Sequence, residues 1–383
     1  MNAGRIVVAG AGPVGLAFAC ACRDLDVCVI EPNTRPPEAT PELDVRIFAL
    51  SAGTRAFLRS IEAWDRLDQA RVTPVRRMEV FGDAGARLAF AGRPGAALAW
   101  IAEAGRLSSA LELQAASLGT VTLRRGAHFD RFEAAADRVR IGLQGGEELE
   151  ADLLVGADGP DSQVRASLGL PVAQRAYGET AIVANFDIEK DHGHVARQWF
   201  RPDGVLAWLP LPGRRISIVW SAPDRVANEI AQLAPDQIAA RVRDAGAAAL
   251  GDLRLASRLA SFALRLIRVD RTVAPGVALV GDAAHGVHPL AGQGVNLGFQ
   301  DSRVLAGELA RRSPLERPGD LRLLRRYARA RREDVTAMQF VTDGLDRLFG
   351  SNAPGASWLR NAGMGLLEAQ PWIKGALAER AMR

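Results

Sequence analysis

Lysine is nearly absent from this 383-residue chain, occurring only at Lys190 and Lys374, so almost all of its 48 basic residues are arginines. The formal net charge of +4 is mildly basic. No basic patch is interleaved with aromatics, which argues against nucleic-acid binding and leaves a genomic bias in codon usage as the plain explanation. Cysteine is scarce too. Cys20, Cys22 and Cys28 are odd in number, clustered and without CxxC spacing. That pattern excludes a disulfide framework, fits a reducing cytoplasm and suggests three small buried apolar residues. The sequence offers no apolar run of the roughly 18 residues a membrane-crossing helix needs. Residues 6–22 are apolar and follow Arg5, as in a signal peptide, but their glycine spacing and the strand that follows at once exclude that reading. Histidine is also rare. His285 and His288, even with His192 and His194, lack a third ligand at convincing spacing, so a metal centre is not expected. There is no nucleophile elbow and no Ser/His/Asp set.

What remains is the composition of an ordinary globular protein, 48% hydrophobic and 24% charged. At this length the chain buries a large core, and two intertwined domains are expected rather than one. Residues 5–9 form an unbroken apolar strand, 10–15 (GAGPVG) a tight turn, and 16–24 the helix it opens. A second strand at 27–30 ends in Glu31, 21 positions after Gly10, the separation a dinucleotide fold requires. Gly10 allows the turn, Gly12 lets backbone approach a pyrophosphate, and Gly15 lets helix pack on strand, while Glu31 accepts from ribose hydroxyls. This motif alone does not separate FAD from NAD.

The stretch the chain is organised around is 276–301, GVALVGDAAHGVHPLAGQGVNLGFQD. Residues 277–280 read as a strand buried on both faces, ending at Gly281-Asp282. After a loop of His, Pro and Gly, helical spacing resumes at Val295. Gly292 and Gly294 leave the backbone N–H groups of that helix start open to an anion or an electron-rich ring edge. Between these motifs lies GADGPDSQVR, residues 156–165.

The 281–301 segment resembles the C-terminal flavin signature of the class A flavoprotein aromatic hydroxylases, and within them is most similar to the ubiquinone-biosynthesis hydroxylases. The 156–165 segment resembles their GADGxxSxVR motif, associated with both FAD and the nicotinamide reductant. Together the three motifs decide for FAD. The resemblance implies an α/β fold in which a Rossmann-like FAD-binding domain (1–74, 105–176 and 270–350) is interleaved with an antiparallel-sheet substrate domain (75–104 and 177–269), followed by a helical tail, 351–383. It implies that Asp282 holds the ribityl chain, that Arg106 reaches the FAD phosphates, and that Arg46 lies near the cofactor and the active-site mouth. It places the 289–296 loop and helix start against the flavin ring. The cofactor contacts expected are Gly10, Gly12, Pro13, Val14, Gly15, Glu31, Arg46, Arg106, Asp158, Gly281, Asp282, Pro289, Gly292, Gly294, Val295 and Asn296. No acid/base constellation stands out, as expected where the cofactor carries the hard step. Pro289, Gly292 and Gln293 are the candidates on the flavin face. The implied reaction is reduction of FAD by NAD(P)H or a partner reductase, addition of O₂ at flavin C4a, and transfer of one oxygen from the hydroperoxide to an electron-rich ring.

Elsewhere the residues speak for themselves. Segments 78–81 and 88–90 flank Gly82-Asp83-Ala84-Gly85 as a hairpin. Residues 181–186, 196–200, 206–209 and 216–220 are strands broken by turns, hence an antiparallel sheet with one face covered and one open to a ligand. Trp199, Phe200, Trp208 and Trp220 concentrate there, most of them as packed core. Trp208 is the candidate pocket-liner, with Leu290 as a second substrate contact. Helices are expected at 51–67, 106–118 and 235–250. Beyond Asp301 the chain is helical, with a run of arginines from Arg311 to Arg332. A solvated face is the default reading of that run, and docking to an anionic membrane surface or to biosynthetic partners is the sharper one. Three functions stay open: a hydroxylase of a polyprenylated phenol on the path to ubiquinone, cytoplasmic and peripheral at the inner membrane face; a hydroxylase of a small soluble aromatic; and a non-catalytic flavin-binding scaffold.

Overall fold

The structure is a computed structural model that describes residues 4–36, 42–83, 85–92, 95–135, 137–169, 172–286 and 294–350, the side chains of 174 and 345–350 excepted. The 351–383 tail therefore lies outside the described residues. The helices are α1 (Pro13–Ala21), α2 (Ala52–Ser60), α3 (Ala104–Ala116), α4 (Gln163–Ser167), α5 (Asp224–Ala231), α6 (Pro235–Ala245), α7 (Gly294–Ala310) and α8 (Leu321–Gly350).

Short apolar strands without alternation are the ones that end up buried on both faces. Arg5–Ala9, Asp26–Glu31, Leu153–Gly156 and Val277–Leu279 lie side by side in parallel, with Val121–Arg125 at one edge and Val273–Ala274 antiparallel at the other. One face packs on α1, α3, α7 and α8 through Ile6, Val8, Val29, Leu107 and Phe299. The opposite face carries Val7, Cys28 and Leu154 against the three-stranded antiparallel sheet Phe129–Ala134, Val139–Leu143, Glu148–Ala151. Each fully buried Val or Ile of this sheet contributes about 1.5–3 kcal/mol over its exposed state. The three cysteines are buried and unpaired, and burial pushes their thiols up, Cys20 to about 12.

A second sheet runs Ala260–Val269, Val172–Ile188, Arg215–Pro223, Gly204–Leu211, Val195–Arg201 in antiparallel order, as the sequential turns imply. The hairpin Arg77–Phe81/Arg87–Ala91 extends it through one parallel pairing with Val195–Arg201. Period-2 alternation splits its residues. Ile182, Phe186, Trp199, Trp208, Ile218 and Trp220 point to α5 and α6, while Ala196 and Leu211 point the other way, onto Ile47, Ala49 and Ile101 of a small sheet formed by Ile47–Ser51, Thr73–Val75 and Ala99–Glu103. The two assemblies meet where His285–Gly286 adds to the edge of Ala260–Val269.

Two expected helices are shorter than their apolar spacing suggests. The one expected over 51–67 stops at Ser60, because Glu62 adopts a left-handed φ of 62° that no helix continues through. The one expected over 235–250 ends at Ala245. Gly246 follows, where a Cβ would lie 2.1 Å from the Trp208 ring, and Ala247 and Ala248 then turn at positive φ.

Candidate active site

The cradle begins at the end of the first strand. Gly10 sits at φ +107°, and a Cβ there would meet the Ala157 carbonyl oxygen at 2.4 Å. A Cβ on Gly15 would meet the Gly10 carbonyl at 2.1 Å, so strand, turn and helix close only with glycine at both places. At Gly12 the reverse holds, with nothing within 4 Å of an added Cβ. This open side faces the start of α1, where Pro13 occupies the first turn and no side chain caps the helix. The uncapped N–H groups and the dipole make that terminus receptive to an anion.

Glu31, buried at the end of the neighbouring strand, reaches across the turn. Its Oε2 accepts from Ala11 N–H at 2.8 Å, and its Oε1 accepts from the backbone and side chain of Asn33 at 3.0 and 2.6 Å. The loop beyond is held by Arg125, which pairs with Glu112 and donates to the carbonyls of Asn33 and Arg35.

Gly281, at φ +61°, lies against the Val14 side chain where the starts of α1 and α7 converge, and a Cβ on Gly298 would meet Val14 at 2.6 Å. Ser302 Oγ ties α7 to α1 through the Val14 carbonyl at 2.9 Å. The Asp282 side chain is exposed yet set in a crowded hollow, and desolvation holds its carboxyl above the usual range, with His285 and Arg46 pulling the other way. Arg46 is thus near enough for its charge to act on Asp282. Arg46 itself is exposed and lies over Phe48 at 5.6 Å.

Beneath Gly281 is a buried ionic knot. Asp301, fully buried, accepts from Gly281 N–H at 2.9 Å and pairs with His285 Nε2 at 2.7 Å through Oδ2, while Oδ1 accepts from Arg331 Nε at 2.7 Å. Burial alone would raise the Asp301 carboxyl, but His285 and Arg331 hold it below the carboxylate range. Burial would likewise push the His285 imidazole down, yet Asp301 holds it above its ordinary value. Arg331 is thus no part of a solvated face. It is buried on Asp301 and braced by Gln300 and Asp334, which corrects its assignment to the solvent-facing run.

Asn296 accepts at Oδ1 from Ser51 N–H (2.9 Å) and Thr54 Oγ1 (2.8 Å) and donates from Nδ2 to the Ala49 carbonyl (2.8 Å). Its amide joins the start of α7 to the strand-helix corner at Ser51, so within this geometry it positions the helix start. Asp158 is engaged in a similar way, accepting at Oδ1 from Ser162 Oγ and at Oδ2 from the N–H groups of Gln163 and Val164, which caps α4. Arg165, buried, then donates to the Ala283 carbonyl at 3.1 Å and links this segment to Gly281–Ala283. Arg106 pairs with Glu103 at 3.2 Å, beside Arg71 on the same carboxylate. Gly294 and Val295 open α7, whose first turn carries no acidic residue to offset its dipole. Pro289, Leu290, Gly292 and Gln293 lie outside the described residues.

The structure moves Trp208 off the open face of the large sheet. It is 1% exposed and wedged among Trp199, Gly246 and α6, on the side the helices cover. Its strand neighbours Ala207 and Leu209, with Val219 across from Ala207, present the opposite, half-buried face. Sequence reasoning also passed over Ser51, Thr54 and Arg331. Ser51 carries a visible N-cap signal, since its Oγ accepts from Thr54 N–H, whereas nothing marks Arg331 among its neighbours.

A nucleotide cradle on a parallel sheet, joined to a large antiparallel sheet, is a mixed α/β fold shared with FAD-dependent monooxygenases. Among solved structures, pqsL of Pseudomonas aeruginosa, a probable FAD-dependent monooxygenase, superposes with a TM-score of 0.78 over 94% of this chain and 99% of its own at 22% identity. A singly substituted form of HpxO from Klebsiella pneumoniae, complexed with FAD, superposes at 0.77 over 99% and 98% at 18% identity. The chain belongs to the FAD-binding domain family of the class A flavoprotein hydroxylases, whose profile matches residues 4–341, and it is an FAD-dependent monooxygenase. Similar relatives include the ubiquinone hydroxylase UbiL of Rhodospirillum rubrum, 34% identical over 98% of this chain and 89% of the relative, and the 3-demethoxyubiquinol 3-hydroxylase of Escherichia coli K12, 34% identical over 94% and 93%. No helix among the described residues is long and apolar enough to cross a membrane.

Proposed function

We propose that this monooxygenase hydroxylates the aromatic ring of a polyprenylated phenol in ubiquinone biosynthesis. The observation that carries the substrate class is the 34% identity, over nearly the whole chain, to two relatives named for ubiquinone-ring hydroxylation. The cradle supports the cofactor. A buried carboxylate at a strand end, open space over Gly12 and an uncapped helix start form the donor and acceptor set that a dinucleotide needs. FAD, when bound, supplies the redox chemistry that activates O₂ for insertion into the ring.

The chain's own residues would bind, orient and shield. Gly12 and the start of α1, with Pro13 and Val14, would meet the pyrophosphate, and Glu31 would accept from ribose hydroxyls. Asp282 would hold the sugar-alcohol chain, while Arg106 and Arg46 would offer guanidinium groups to phosphate and to the pocket mouth. The start of α7 at Gly294 and Val295 would stabilise negative charge on the reduced ring. Asn296 and Asp158 would act by fixing the backbone around the ring. Ala207, Leu209 and Val219 replace Trp208 as the wall over which the phenol lies, an apolar surface suited to excluding water. NAD(P)H is proposed as reductant. The same reading divides the chain into a cofactor part (1–74, 105–176, 270–350) and a substrate part (75–104, 177–269), with a peripheral position at a membrane that carries the lipid-tailed substrate.

The test is mass spectrometry of the quinone pool in a strain lacking the gene. A prenylated intermediate short of one ring oxygen should accumulate and disappear on re-expression. An unchanged pool in a strain with no second hydroxylase overturns the substrate assignment and points to a soluble aromatic, to be sought by substrate-stimulated NAD(P)H oxidation.

A further inference from the structure

Behind the Gly281–Ala283 turn, a groove of about 1030 Å³ runs between α8 and the end of the Ala260–Val269 strand, with the knot residues His285, Asp301 and Arg331 along part of its wall. None of the residues proposed above to hold FAD lines it. Val269, Val273, Ala274 and Val335 give it an apolar strip, and Phe340, 76% exposed, also lines it. Arg268 and Arg271 overhang it from the strand side and Arg325, Arg329 and Arg332 from α8. The three helix arginines recur at i, i+4 and i+7, so they share one face, and Phe340 continues that stripe.

These guanidinium groups differ from their neighbours. Arg326 is tied to Glu308 and Glu316, and Arg331 to Asp301. Among the described residues, the guanidinium groups of Arg271, Arg325, Arg329 and Arg332 make no ion pair or hydrogen bond, and that of Arg268 reaches Asp343 only at 3.9 Å. Among the lining residues the one exposed carboxylate is Asp270. Like charges at i, i+4 weaken a helix, so the cluster invites an anion from outside the chain. Phosphate suits forked guanidinium donors. Ligand pockets span roughly 300–1,000 Å³, so this groove is much larger than a bare phosphate needs, and its buried polar side chains, His285, Asp301, Tyr327 and Gln339, already bond within the protein rather than facing a sugar or base. A phosphate attached to an apolar chain fits both halves.

We propose that this groove binds an anionic phospholipid, its headgroup phosphate among the five arginines and the start of its acyl chain along the apolar strip toward Phe340. The proposal deepens the membrane-side reading above without using the substrate assignment, so an unchanged quinone pool would leave it standing.

The test is co-sedimentation of the flavin-loaded protein with vesicles of phosphatidylglycerol and, separately, of phosphatidylcholine, with calorimetry against inorganic pyrophosphate. The charge-reversed Arg329→Glu/Arg332→Glu protein is compared, and the neutral Arg329→Gln/Arg332→Gln protein serves if reversal impairs folding. Both side chains are exposed and partnerless among the described residues, so flavin content and circular dichroism should match the wild type. Binding to phosphatidylglycerol but not phosphatidylcholine is expected, weakened on the order of tenfold or more by the substitutions and reduced by Phe340→Ser. Equal binding to both vesicles overturns the headgroup recognition. Undiminished binding by the substituted proteins overturns the location. Tight pyrophosphate binding without vesicle binding overturns the lipid in favour of a soluble phosphate ligand.

Discussion

Arg331→Met tests whether the knot under Gly281 clamps the Gly281–Ala283 turn to α7 and α8. Methionine keeps much of the volume and removes the cation, leaving Asp301 fully buried with His285 as its remaining ionic partner. Breaking a buried pair from one side costs about 3–5 kcal/mol, because the abandoned charge cannot be resolvated. Against a total stability of about 5–15 kcal/mol that is a large share, though a folded state should survive at 25 °C. The pH dependence gives a sharper signature. The Asp301 carboxyl is depressed in the folded protein, so its contribution is present above the ordinary carboxylate value and lost as pH falls through the folded one. His285 is raised, so its contribution is full below about 6.5 and lost as pH rises through its folded value. Arg331 lowers both groups. Its removal therefore moves both limbs of the stability profile to higher pH. Urea denaturation followed by tryptophan fluorescence from pH 4 to 9 reads this directly. Arg331→Lys should recover part of the loss, since it restores charge but not the fork that reaches Asp301, Gln300 and Asp334 together. A loss below about 1 kcal/mol at pH 7, or limbs that stay in place, would refute the assignment of the knot as a clamp.

Glu31→Gln keeps the size of the side chain but replaces one acceptor oxygen with a donor facing Ala11 N–H, so FAD affinity should fall by about 1.5–3 kcal/mol, or roughly tenfold to a hundredfold, in titration of the apoprotein. Asn296→Ala removes three hydrogen bonds and leaves the Ala49 carbonyl and Ser51 N–H buried, for a loss of about 1–3 kcal/mol per stranded group, with faster flavin release seen in fluorescence dequenching. Trp208→Leu should lower the denaturation midpoint by cavity formation and leave KM unchanged, whereas Val219→Phe should raise KM with little change in stability. The opposite pattern would return Trp208 to the pocket.

Local backbone demands were the legible part of this chain. Gly10 and Gly15 carry contacts that any Cβ would break, and such demands fall at fixed spacing along a single turn. Buried parallel strands were equally plain, because an unbroken apolar run has no polar face to hide. Boundaries fared worse. The 51–67 apolar spacing continues past Ser60, and only the left-handed turn at Glu62, set by packing of Ile61 and Ala63 into the core, ends the helix.

Faces and partners were hidden for a different reason. Alternation told that one side of the large sheet is covered, but not which, because that depends on where α5 and α6 return, and they are joined to the sheet by a turn that could have passed over either face. Trp208 and Val219 thus exchange roles on a parity that only the tertiary fold sets. Arg331 is harder still. It stands among nine arginines between 311 and 332, 30 residues from Asp301, and shares its residue type with all of them and its helix with Arg322, Arg325, Arg326, Arg329 and Arg332. What separates it from Arg329 and Arg332 is the rotation of α8 about its axis. One side of that helix turns inward to neutralise the buried aspartate beneath Gly281, and the adjacent side carries the same residue type, without partners among the described residues, toward the groove. The clamp and the proposed lipid site therefore depend on the same helix orientation. A perturbation that rotates α8, unlike one that removes a single guanidinium, should weaken flavin retention and vesicle binding together.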